Sequence, residues 1–172
     1  MKKFTLPLSI ITIVALAGPA TADLQVEFIE GAPKDRFVIK NVGDCALGAG
    51  QFEIDFVNSS AGLIFDVTNE GPGVEVFQPF EVTSGAEYLI AQPSVTDGDQ
   101  RAVLDMSGLG VSETIAFTID VDDTIGTRAI TVADSEISGT TVSLYAGEST
   151  YSAVMDTKAQ VLLSTPNCDT QR

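Results

Sequence analysis

The residues with most chemical potential in this chain are aspartates. Asp120-Val121-Asp122-Asp123 ends an alternating run that begins near Ile115, and Asp97-Gly98-Asp99 sets two carboxylates around a glycine. On a strand, Asp120 and Asp122 project from one face about 6.5–7 Å apart, and Asp123 then opens the next loop. Carboxylates that converge at a strand end are the hard oxygens that calcium collects, six to eight to an ion. Asp97, Asp99, Asp120, Asp122 and Asp123 are therefore the expected calcium ligands, forming one site if their loops meet at the same end of the fold. The spacing is neither that of an EF-hand loop nor that of a glycine-rich calcium β-roll. In a chain this acidic, carboxylates on a wet strand face otherwise serve solubility. Asp66, Glu75 and Asp105 are read in that way.

Other chemistry is thin. The 172 residues include 24 acidic and 9 basic side chains, no histidine and no tryptophan, for a net charge of -15. Without histidine there is no Ser-His or Cys-His catalysis and no H-E-x-x-H zinc site. The negative charge excludes a nucleic-acid binder, which needs a basic stripe to displace counterions. Asp120 and Asp122 have the separation of a glycosidase carboxylate pair, but so does any i, i+2 pair on a strand. Only Tyr88, Tyr145, Tyr151 and phenylalanines are present to stack a sugar, and no Ser-x-x-Lys arrangement occurs. A non-enzymatic protein is expected.

Residues 1–22 have the layout of a cleaved export signal. Lys2 and Lys3 precede an apolar run from Phe4 to Ala17, and Ala20-Thr21-Ala22 stands before Asp23. That run is shorter than the ~20 residues that span a bilayer. The expected mature chain, 23–172, carries 7 basic and 24 acidic residues, a net charge of -17, and no second apolar span. A secreted or periplasmic protein without a transmembrane anchor follows. Cys45 and Cys168 are the two cysteines, and an even count in an oxidising compartment predicts one disulfide. Closing so long a loop would restrict the unfolded chain by about 4–5 kcal/mol.

The elements that must position these groups read as strands. Leu24, Val26 and Phe28 alternate with polar residues, as do Phe52, Ile54 and Phe56, then Ile115, Phe117, Ile119 and Val121, and Val142, Leu144 and Ala146. Phe37–Ile39 and Val161–Leu163 add short strands. Turn residues cluster at 31–34, 41–44, 58–62, 69–73, 97–99, 107–110 and 122–126. No ten-residue amphipathic helix is present in 23–172. Ten to twelve short strands predict one antiparallel β-sandwich domain, immunoglobulin-like or jelly-roll. Nine phenylalanines and a mean hydropathy of +0.22 supply its core.

Phe28 to Phe37 (FIEGAPKDRF), Ala61 to Val67 (AGLIFDV), Val74 to Phe80 (VEVFQPF) and Ile115 to Gly126 together resemble small exported bacterial proteins classed with the aggregation factor core proteins of sponges. The resemblance covers most of 24–146, and the GLIFDV and FTIDVDDT runs are its most specific parts. It implies a secreted adhesive or matrix component whose adhesion depends on calcium and glycans. Cell-surface or matrix proteins, glycans and a second copy of the chain are then the expected partners. Beside it stands a periplasmic or extracellular module that binds a glycan or a partner protein.

Overall fold

Alternation builds the first hairpin. β1 (Leu24–Ile29) buries Leu24, Val26 and Phe28 and exposes the residues between them. β2 (Asp35–Asn41) buries Phe37 and Ile39, and the same parity buries its two polar ends, Asp35 and Asn41. The computed structural model describes residues 21–73, 77–125 and 131–165. Residues 1–20 of the expected export signal, and Cys168 of the expected disulfide, lie outside the described residues. Thr21 and Ala22, at the end of that expected signal, take part in the fold: Ala22 is buried, and Thr165 bonds to both its amide and its carbonyl.

β7 (Thr114–Asp122) organises the first sheet. One edge pairs with β2 from Thr114 to Ile119. The other edge is shared, with β5 (Glu81–Ser84) along 116–118 and β4 (Ile64–Asp66) along 120–122. β10 (Gln160–Leu163) lies outside β1. The second sheet has β3 (Gly50–Asp55) between β6 (Arg101–Met106) and β8 (Thr141–Ala146), and β8 turns through Gly147 into β9 (Ser149–Val154). All pairings are antiparallel. The two packed sheets are the expected all-β sandwich, and the ten strands among the described residues fall within the expected number. Among the described residues the helical structure is one 3₁₀ turn, Ala86–Tyr88. None of them forms a helix long and apolar enough to cross a membrane.

Phenylalanines join the sheets. The Phe37 ring lies 5.1 Å from Phe28, 5.3 Å from Phe117 and 6.3 Å from Phe56, the residue that follows β3. Phe56 reaches Phe65 at 4.6 Å, and Phe117 reaches Phe80 at 4.6 Å. Offset and edge-on ring pairs at such separations add about 0.5–1.5 kcal/mol each beyond area burial.

Asn41 ends β2 with a polar tie. Its Nδ2 donates to the carbonyls of Cys45 (2.8 Å) and Leu109 (3.0 Å), while its Oδ1 accepts from the Gly43 amide (3.0 Å). The turn it holds carries Cys45, which is partly buried against the core; no described cysteine is free. Asn41→Ala strips three main-chain groups of these bonds at once, and should lower stability by about 1–3 kcal/mol. A urea titration checks this as a lower midpoint at unchanged slope, and a wild-type midpoint would show that the turn does not depend on the side chain.

Candidate metal centre

The ladder between β4 and β7 brings carboxylates together. Asp66 stands directly opposite Asp120, with Asp122 one pleat further along β7, where Ile64 is its partner. All three therefore project from the same face of the sheet. Each offers an oxygen within 4.8 Å of the others, and all three residues are buried. Asp123, one residue on, is also buried, but the converging oxygens come from 66, 120 and 122.

From the chain between β4 and β5, Gly73 and Gln78 lie against this cluster. Gln78 is 6 % exposed, and its Nε2 donates to Asp120 Oδ2 at 3.0 Å. Gly73 lies so close to the Asp66 side chain that a Cβ there would stand 2.4 Å from Cγ, and its φ of 126° suits only glycine. Asp66 is thus held in a cradle of backbone that a larger residue would fill.

Electrostatics match this geometry. Burial, then the charges of Asp122 and Asp66, raise the Asp120 pKa to about 7, against the Val121 amide and the pull of Lys34. Lys34 is itself paired with Glu81 at 3.1 Å. Asp35 is the next carboxylate along. Main-chain pairing of β2 with β7 stops at Asp35 opposite Ile119, and there its carboxylate continues the ladder. Oδ2 accepts from the Val121 amide and Oδ1 from the Gly31 amide, each at 3.1 Å. Burial is the largest influence on Asp35; with the charges of Asp120 and Glu30 it outweighs those two bonds and raises the pKa to about 7.

Asp97 and Asp99 do lie beside β4, since the Phe65 amide bonds to the Asp99 carbonyl and the Gly98 amide to the Phe65 carbonyl. Their carboxylates have other work. Asp97 Oδ1 accepts from the amides of Val67 (2.7 Å) and Thr68 (2.9 Å), and its Oδ2 from the Thr68 hydroxyl. Burial pushes its pKa up, but these bonds prevail and hold it below the usual carboxylate range. Asp99 Oδ2 accepts from the Thr96 amide and hydroxyl, both at 2.8 Å, closing its own turn. The expectation that 97–99 and 120–123 pool their carboxylates gives way to a different set, Asp66 with Asp120 and Asp122.

No family model matches the chain, and no curated protein or solved structure matches it. The reading of this site rests on its own chemistry. Calcium binds its oxygens at about 2.3–2.6 Å, and three carboxylate oxygens within 4.8 Å of one another have the scale of one such coordination sphere. Magnesium keeps several waters and demands a near-ideal octahedron, which a buried cluster suits less well.

One of these residues departs from the sequence expectation, and two were not singled out by it. Asp66 was expected at the surface and is fully buried. Its signal was the setting, a lone carboxylate inside Leu63-Ile64-Phe65-Asp66-Val67. Asp35 shares the parity of Phe37 and Ile39, which marks it as inward. Gln78 carried no signal, because its place depends on how the loop returns.

Proposed function

We propose that the protein is an exported, non-enzymatic β-sandwich that serves calcium-dependent adhesion or an extracellular matrix, with the ion held by Asp66, Asp120 and Asp122. The observation that carries this reading is the convergence of three buried carboxylates within 4.8 Å. A divalent cation such as calcium collects hard carboxylate oxygens that converge in this way. Support for the extracellular setting comes from the signal-like first 22 residues and from the likeness of the GLIFDV and FTIDVDDT runs to aggregation factor core proteins. A bridge between Cys45 and Cys168 belongs to the same setting, and a non-reducing mass two daltons below the dithiol value is its expected mark.

Thermal melting in millimolar calcium and in chelator tests the ion. An ion that binds only the folded state at a hundred times its Kd adds about 2.7 kcal/mol, or roughly 5–10 °C for a domain of this size. Equal melting temperatures in calcium and chelator would overturn the reading. Beads coated with the protein should in turn aggregate in calcium and disperse in chelator.

A further inference from the structure

The Gln78 amide has one end in use and one end idle. Its Nε2 donates to Asp120 Oδ2, whereas its Oε1 is buried and without a hydrogen-bond partner. Buried polar atoms are almost always paired, and each exception in a folded protein calls for an explanation. Here the idle atom is a hard neutral oxygen, carried on the same amide that touches the carboxylate cluster.

We propose that Gln78 Oε1 is the fourth protein ligand of the cation, and that its side-chain amide turns over when the ion binds. This rests on the calcium reading above. Rotation by half a turn exchanges oxygen and nitrogen within nearly the same volume. Without an ion, that exchange would set Oε1 against Asp120 Oδ2 and is unfavourable, so the nitrogen faces the carboxylate. With an ion between them, two oxygens are the required pair. Two oxygens bound at about 2.4 Å to one calcium, some 75–80° apart, lie about 3.0 Å from each other. That is the separation already present between Nε2 and Asp120 Oδ2. The cage therefore accepts the ion by turning one amide, with the loop left in place.

The arrangement also couples the ion to the chain between β4 and β5. Asp66 ends β4, Asp120 and Asp122 end β7, and Gln78 belongs to the returning loop, where its amide bonds to the Val67 carbonyl. A ligand from the loop makes ion binding an event that fixes the loop against the sheet.

Calorimetric titration of calcium into the wild type, Gln78→Met and Gln78→Glu is the test, with melting of each in chelator to establish folding. Gln78→Met, similar in length but with no oxygen, should bind about tenfold or more weakly, the usual range when one partner of a metal site is lost. Gln78→Glu retains an oxygen there and should bind at least as tightly as the wild type. In the wild type, calcium should also shift the Gln78 side-chain amide proton resonances as Nε2 leaves Asp120. Equal affinity of Gln78→Met and wild type would overturn the ligand assignment while the calcium reading stands. Weakening of both variants alike would overturn it too, by pointing to the Nε2 bond as the contribution that matters. A wild type that takes up no calcium would overturn both.

Discussion

The Asp66→Asn/Asp120→Asn protein is expected to be more stable than the wild type in chelator and less stable than the wild type in calcium. Like charges directly opposite each other on a ladder are destabilising, and Asp66 and Asp120 are such a pair, buried and with Asp122 beside them. Asparagine keeps the shape and removes the charge, and its Oδ1 can still accept from Gln78 Nε2. Discounted for the solvent screening that reaches the rim of the site, the relief is about 1–3 kcal/mol. In calcium the comparison reverses. The wild type gains the binding energy of the ion, whereas the double variant has lost two of its three charged ligands. Melting curves of both proteins in both buffers measure the crossing. A double variant that is less stable in both buffers would mean that protein hydrogen bonds hold these carboxylates in their charged form, and the calcium reading would fail.

The strands were legible because burial follows parity. Leu24 to Phe28, Phe52 to Phe56 and Ile115 to Val121 announce one wet and one dry face, and the sandwich follows from having so many of them. Asp120 and Asp122 share one face, as the i, i+2 spacing predicts, but that face is covered and not wet. Parity within a strand cannot show what packs against its outer side. Gln78 comes from the chain that follows β4, and its contact with Asp120 on β7 spans 42 residues. Asp97 shows the opposite failure. Asp-Gly-Asp has the composition of an ion loop and of a turn that caps a neighbouring strand. Only the arrival of the Val67 and Thr68 amides at its carboxylate decides for the second. β4, β5, β6 and β9 are not among the strands the alternation marks, for plainer reasons: Ile64–Asp66 is three residues long and buried throughout, Glu81–Ser84 and Ser149–Val154 are mostly exposed, and Arg101–Met106 puts Val103 on its outer face, which blurs the alternation.

Without calcium, stability should fall as pH rises from about 4 to 8. Asp35 and Asp120 hold their protons up to about pH 7 in the folded protein, against 3.8 for the ordinary group. Between those values the folded state binds protons that the unfolded chain has released, so raising the pH favours unfolding. The stabilisation from these two groups is complete below about pH 4 and gone above about pH 7. A full shift of this size is roughly 4 kcal/mol for one isolated group. The two carboxylates are neighbours and Asp120 is partly screened, so about 2–4 kcal/mol for both together is the expected change. Asp97, held below the usual range, works in the opposite sense but only below about pH 4, outside this window. Urea midpoints in chelator at pH 4.5 and pH 8 measure the fall, and Asp35→Asn should flatten it by the Asp35 share. Calcium should close the gap from the alkaline side, because the ion needs the ligands that protons occupy in acid. Its effect on the melting temperature is therefore larger at pH 8 than at pH 5. A midpoint that stays level or rises with pH in chelator would show that these carboxylates are already balanced by charge within the protein.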